Sequence, residues 1–398
     1  MFSFKNVIRR LSLIVGAVMI LAGCSGRRAE SAEELRQREA ALLESGLIYY
    51  GHDPDEEAFD DMYYVFIADE EDMEEASIKA LQDFKDKVDG MTAGQRSYLG
   101  RIFTDFADLA EMAAYAYKDR PVAVPSGWTD LGAMNPQIAE VINKYSVNGF
   151  FLSGLKCSLM GKGERQVLVF AGTDFPSSWS DMNQVIDFLL DAYEDVNGAL
   201  SSEATQVVLA SKLVAELLEK GFVNEDCLEF AGHSLGGRLA SEMSVQYGCP
   251  AVIFNAAGVS PEVYERYEEA RKDADSDWRG YVVDVIAAND PLTCAQKYIS
   301  GESDPFVSAT ANLLSVDKKS VESALSLGLG VLGAVADLVV GESGVVSSVM
   351  GAAGDLVDNF YERDYRAIGA KMPIREDMAG HGIKELAVAL RQRAELCK

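Results

Sequence analysis

Residues 227–243 read Cys227-Leu228-Glu229-Phe230-Ala231, then Gly232-His233-Ser234-Leu235-Gly236, then Gly237-Arg238-Leu239-Ala240-Ser241-Glu242-Met243. The first five residues predict a short buried strand and the last seven the opening turns of a helix. Between them lies a G-x-S-x-G turn. A serine at a sharp strand-to-helix turn carries its hydroxyl at the top of a sheet, where it can act as a nucleophile. Glycines suit both flanks because the turn is strained and two backbones pass close by. The same turn leaves the backbone N–H of Leu235 at the helix N-terminus, placed to help bind an oxyanion. Ser234 is therefore the candidate nucleophile. The competing reading is a purely structural turn, since the pentapeptide alone recurs by chance.

A serine nucleophile needs a base, and the chain has three histidines. His52 lies in an acidic N-terminal region. His233 sits within the turn itself, where its ring does not easily reach back to the Ser234 hydroxyl. His381 lies in Met378-Ala379-Gly380-His381-Gly382, between a polar loop and a final helix expected over Ile383–Leu396. Glycines on both sides suit a loop that brings an imidazole close to other backbone. Elimination and chain order select His381. In the order Ser…Asp…His of α/β-hydrolases, the acid falls between the two. Tyr281-Val282-Val283-Asp284-Val285-Ile286-Ala287-Ala288-Asn289-Asp290-Pro291 offers Asp284 and Asp290. Asp290 stands where the strand ends, with Pro291 stopping further pairing, whereas Asp284 lies inside the strand. Asp290 is the choice, to hold the imidazole tautomer and stabilise the imidazolium. A second oxyanion donor is expected after an earlier strand, in Val167-Leu168-Val169-Phe170-Ala171-Gly172-Thr173-Asp174, where Thr173 offers a backbone N–H and a hydroxyl. No metal or cofactor is needed for this chemistry.

These segments resemble the class 3 (fungal-type) lipase family of the α/β-hydrolase fold. Phe170-Ala171-Gly172-Thr173 with Trp179 and Asp181 is similar to that family's oxyanion segment, Gly232 to Gly237 to its nucleophile segment, and Asn289-Asp290 to its acid. Ala114-Tyr115-Ala116-Tyr117 with Gly127-Trp128 resembles its opening region, so the likeness covers roughly residues 100–300 and the His381 loop. Two departures stand out. Ala171 replaces the arginine often found before that Gly-Thr, and the stretch from Asp290 to His381 is longer than a compact member needs. The resemblance implies a hydrolase of lipid esters working through an acyl-enzyme.

At the N-terminus, Lys5, Arg9 and Arg10 precede the uncharged run Leu11–Leu21 and then Leu21-Ala22-Gly23-Cys24. The run is short for a membrane span and has the layout of a secretory signal. The four residues resemble a bacterial lipobox, with Cys24 as the cleaved and acylated residue, and an uncleaved signal anchor is the alternative. Ser25 rather than Asp follows the sorting pattern of outer-membrane lipoproteins. The expectation is a bacterial envelope protein held to the membrane by lipid at Cys24.

The chain has 398 residues, 48% of them hydrophobic, enough for one large core with a smaller appendage. A formal charge of −27 argues against nucleic acid and against attraction to anionic lipid. Besides Cys24 there are Cys157, Cys227, Cys249, Cys294 and Cys397, whose spacings match no zinc pattern. Cys227 and Cys249 each begin a predicted strand, so a disulfide between neighbouring strands is one reading and free thiols the other.

The expected organisation is a signal over 1–23, an acidic helical region over 24–91 and an α/β-hydrolase body over 92–398. Residues 30–90 hold 20 Asp or Glu against 5 Lys or Arg. They form either a spacer or partner-binding module, or a solvated helical cap on the body. Helices are predicted over Ala29–Leu43, Glu71–Val88, Thr92–Lys118 and Thr205–Lys220. A hairpin around Gly161-Lys162-Gly163-Glu164 and strands at Ala251–Asn255 and Tyr281–Ala288 complete a largely parallel central sheet flanked by helices. An apolar, Gly-rich insertion over 301–360 precedes His381. Its segments Ala324–Val340 and Val345–Val357 read as a helical lid or pocket wall, or as an ordinary buried hairpin. The function expected is cleavage of carboxylic esters of lipids. Phospholipase and thioesterase are the nearest alternatives, and a non-catalytic envelope lipoprotein or a membrane-inserting hairpin the distant ones.

Overall fold

The computed structural model describes residues 29–51, 70–117, 122–146, 155–172, 206–272, 277–287, 290, 293, 366–375 and 380–398. Cys24, Thr173, Trp179, Asp181, Cys294, His52 and the 301–360 insertion lie outside them.

Among the described residues, seven strands form one sheet in chain order. They are β1 (Thr129–Asp130), β2 (Cys157–Lys162), β3 (Arg165–Phe170), β4 (Leu228–His233), β5 (Ala251–Phe254), β6 (Val282–Ala287) and β7 (Ala370–Ile374). β1, β2 and β3 pair antiparallel, β2 and β3 as the expected hairpin, and β3 to β7 pair parallel. This is the mostly parallel sheet of an α/β-hydrolase-type fold.

The parallel strands are apolar almost throughout because both faces are covered. Their side chains alternate between two cores. Val167, Val169, Ala231, Val252, Phe254, Val283 and Val285 point to one face. There they meet α1 (Ala32–Glu44), α2 (Glu70–Asp89), α3 (Ala93–Ala116) and α9 (Ile383–Leu396). Leu168, Phe170, Leu228, Phe230, Ala251, Ile253 and Val282 point to the other. That face meets α5 (Pro136–Tyr145), which follows the short α4 (Leu131–Met134), together with α6 (206–219), α7 (Leu235–Tyr247) and α8 (Pro261–Lys272). The helix caps follow residue type. Ser31 and Thr92 each close a capping box, with Glu34 and Gln95 reaching back to the cap N–H.

Strand β7 has no counterpart in the sequence reading. Pro373 lies in it, opposite Ile286, and a proline is tolerated there because β7 has only one partner strand among the seven. Its outer side is met at one point by the N-terminal segment. Tyr49 N donates to Lys371 O at 3.0 Å and Lys371 N to Tyr49 O at 2.9 Å. Leu42, Leu47 and Ile48 are buried in the same core as the sheet. Residues 29–51 are thus packed against the body.

Candidate active site

Strand β4 delivers Ser234 and α7 begins at Leu235, so the elbow forms where the sequence places it. Ser234 has φ 57° and ψ −127°, a conformation costly for a residue with a side chain, and it is held from several sides. Its N–H donates to Phe254 O at 3.1 Å, and its carbonyl accepts from the N–H groups of Gly237, Arg238 and Ala257. The glycines are enforced by close approach. A Cβ on Gly232 would fall 2.1 Å from Gly236 O, and one on Gly236 would fall 2.3 Å from Phe170 O. Leu235 opens α7, so its N–H is a first-turn donor with no intrahelical acceptor.

The sheet brings the acid and the imidazole together. His381 Nδ1 lies 2.5 Å from Asp290 Oδ1, and both side chains are almost fully buried. The second carboxylate oxygen of Asp290 accepts from Thr293 N at 2.8 Å and Thr293 Oγ1 at 2.6 Å. Both carboxylate oxygens of Asp290 are thus engaged, one by the imidazole and the other by Thr293. Thr293 was invisible as a functional residue in the sequence; its signal was only a hydroxyl three positions beyond the acid.

Asp284, the acid not chosen, sits mid-strand in β6, 2.8 Å from Lys371 Nζ of β7. Burial pushes its carboxyl above the usual range, against the pull of that ammonium. Gly172, the last described residue of the oxyanion segment, lies against the elbow, since a Cβ there would meet Ser234 Cβ at 2.8 Å. Thr173, the expected second oxyanion donor, follows it directly in the chain.

His233 is not positioned as a base. Its Nε2 faces the carbonyl of His381 at 2.8 Å, and its Nδ1 faces the Tyr117 hydroxyl at 2.6 Å. A carbonyl only accepts, so Nε2 carries the proton, and in a neutral ring Nδ1 then accepts from Tyr117. Asn255, with φ 43° at the end of β5, accepts from Ala287 N at 2.8 Å and donates to Gly380 O at 3.4 Å.

Of the two readings of Cys227 and Cys249, the structure has the free thiols. Cys227 and Cys249 do precede adjacent strands, β4 and β5, but both are free thiols. Cys249 Sγ points to the carbonyls of Glu225 and Tyr247, each at 3.6 Å, and burial pushes its thiol up to about 12. A thiol so protonated is a poor partner for thiol–disulfide exchange. Among the described residues no three His, Cys, Asp or Glu side chains converge as a metal site.

A serine on a strained strand-to-helix turn, at the same end of a mostly parallel sheet as a buried carboxylate–imidazole pair, defines a protein of the α/β-hydrolase type. The comparisons refine that class. The model of a phospholipase-like family, described as a Tle-like phospholipase domain, matches residues 108–362, and the chain belongs to this family. The chain is also similar to an extracellular phospholipase A1 of Serratia liquefaciens, with 34% identity over 129 residues. That match covers 31% of this chain and 35% of the relative, about a third of each. Both matches are to phospholipases.

Proposed function

We propose that the protein hydrolyses carboxylic esters of glycerophospholipids by a serine mechanism, with Ser234 as nucleophile, His381 as base and Asp290 as acid. The single observation that carries this is the buried His381–Asp290 pair at 2.5 Å, at the end of the sheet where Ser234 stands on its strained turn. With Nδ1 proton-bound to Asp290, Nε2 is the basic atom of His381. It takes the Ser234 hydroxyl proton as Oγ attacks the acyl carbonyl. The Leu235 N–H and Thr173 hold the oxyanion that forms. Collapse expels the lysophospholipid alkoxide, which takes the proton from His381. Water, deprotonated by the same imidazole, then releases the fatty acid and restores Ser234. Phospholipid as substrate is supported by family membership and by the phospholipase A1 relative.

The test uses phosphatidylcholine in mixed micelles carrying different acyl chains at its two glycerol positions. The expected products are lysophospholipid and free fatty acid, released first from position 1 if the chain follows its relative. Ser234→Ala should abolish release; persistent turnover in that variant sinks the serine mechanism. Preference for triacylglycerol or acyl thioesters would move the substrate to one of the alternatives.

We further propose that the enzyme is a bacterial envelope lipoprotein, acylated at Cys24 and exported by residues 1–23. Anchoring would keep a phospholipid hydrolase at the surface that holds its substrate. No helix among the described residues is long and apolar enough to cross a membrane. Metabolic labelling with an alkynyl fatty acid should mark the wild type and not Cys24→Ala. Equal labelling of the two overturns the anchor.

A further inference from the structure

We propose that His233 is a positioning residue for His381, acting through the Tyr117–His233–carbonyl chain rather than by contact with substrate. The proposal rests on the serine-hydrolase reading of Ser234 and His381 and deepens it.

His381 follows Gly380, whose φ is 71°, and precedes Gly382, so the local backbone constrains the imidazole weakly. Two side chains from adjacent strands hold consecutive carbonyls of that loop. His233, the last residue of β4, donates to the carbonyl of His381 itself, and Asn255, just past β5, donates to that of Gly380. The rings of His233 and His381 lie with centroids 4.6 Å apart. Because His233 is bonded to Ser234, its imidazole ties the neighbour of the nucleophile to the backbone of the base. One side chain thus links the nucleophile's neighbour directly to the residue that carries the base.

The tautomer matters as much as the contact. Were Nδ1 to carry the proton instead, the Nε2 lone pair would face the His381 carbonyl and repel it. The His381 carbonyl, which can only accept, selects the tautomer with the proton on Nε2, and the buried Tyr117 hydroxyl satisfies the Nδ1 lone pair that this leaves. Both ring nitrogens of His233 are thereby engaged in holding, which also explains why an imidazole beside the nucleophile does not compete as its base.

The experiment measures kcat and KM on a soluble short-chain ester, per active site counted by fluorophosphonate titration. His233→Phe keeps a ring and loses the donor. It should lower kcat about 10²-fold, the scale of an ångström's misplacement, with KM changed less than about threefold. His233→Gln places an amide N–H near the imidazole Nε2 position and should recover at least about tenfold of that loss. A residue that only fills space would give the opposite order, because phenylalanine matches the ring better. Wild-type kcat in His233→Phe, or no recovery in His233→Gln, overturns the proposal. Where His233→Phe does not fold, Tyr117→Phe carries the test. It leaves both imidazoles and should lower kcat several-fold, and unchanged kcat there overturns it equally. Ser234→Ala, run alongside, separates the readings, since turnover in that variant removes the serine mechanism itself.

Discussion

Gly172 and Ser234 approach so closely that a Cβ on the glycine would fall 2.8 Å from the Cβ of the serine, and 2.6 Å from the carbonyl oxygen of His233. Gly172, two residues beyond β3, and the elbow after β4 are therefore fitted closely to each other. Gly172→Ala must push the two apart. It should lower kcat by about 10² to 10³-fold, the range for a lost oxyanion donor, while leaving the circular dichroism spectrum of the sheet intact. Steady-state kinetics checks this; near wild-type kcat would show that the segment yields without harm.

Strain at the elbow gives an opposite pairing of stability and activity. Ser234 occupies φ 57°, ψ −127°, which glycine adopts freely. Ser234→Gly should abolish hydrolysis and raise stability by about 1 kcal/mol, the lower end of such backbone strain. Ser234→Ala keeps the strain, so it should abolish hydrolysis without that gain. Urea unfolding of the three proteins decides it.

Asp290 is expected to act by holding the imidazole tautomer. Asp290→Asn would present an amide to Nδ1 and stabilise the tautomer whose proton sits on Nε2, the wrong atom for a base. A fall in kcat of about 10³ to 10⁴-fold should follow, with KM little changed. A loss under tenfold would shift the acid's role elsewhere, with Asp284 the first residue to try.

A buried ion network ties α3 to the strands near the start of β3. Arg165 makes two bonds to Glu229, at 2.8 and 2.6 Å, and one to Asp105 at 2.5 Å. Burial alone would raise the Asp105 carboxyl, but Arg165, helped by Arg38 and Lys162, holds it below the usual range. The folded pKa thus lies under the unfolded one, so this group adds stability above the unfolded value and loses it as pH falls through the folded value. Arg165→Met leaves two buried carboxylates uncompensated and should cost about 3–5 kcal/mol at neutral pH. With the guanidinium gone, only Arg38 and Lys162 still oppose burial at Asp105, so its carboxyl rises and the stability lost on acidification is smaller than in the wild type. Denaturant unfolding between neutral and mildly acid pH tests both parts.

The N-terminal segment completes the body. Tyr49 pairs with Lys371 on the outer side of β7, and Leu42 and Ile48 are buried with the sheet. Leu42→Ala should destabilise the hydrolase body by about 2–5 kcal/mol, as for any buried leucine. A change within about 0.5 kcal/mol would return residues 29–51 to the role of an independent spacer.

Local signals were strong enough to read much of the fold. The final helix spans Ile383–Leu396 as its apolar spacing predicts, and the Gly161–Glu164 turn joins β2 to β3 as a hairpin. The strand β7 was missed because it is short, carries Lys371 and Pro373, and lacks the apolar continuity of the inner strands. Asp290 could be preferred to Asp284 on local grounds, since a strand end followed by proline frees a side chain. Thr293 and Asn255 could not, because their value lies in which carboxylate or carbonyl they meet.

By itself, the sequence determined the elements and the elbow, because periodicity, chain stiffness and the steric demands of a tight turn act between near neighbours. It also determined which serine, carboxylate and imidazole to consider, by chain order and elimination. Only the tertiary structure decided that Asp290 and His381, 91 residues apart, meet at 2.5 Å, and that the His233 imidazole meets the backbone carbonyl of His381 across 148 residues. It likewise left Cys227 and Cys249 as separate thiols on adjacent strands. Such relations depend on the register of parallel strands and on how helices on both faces bring loops to one end of the sheet, distances that no local pattern encodes.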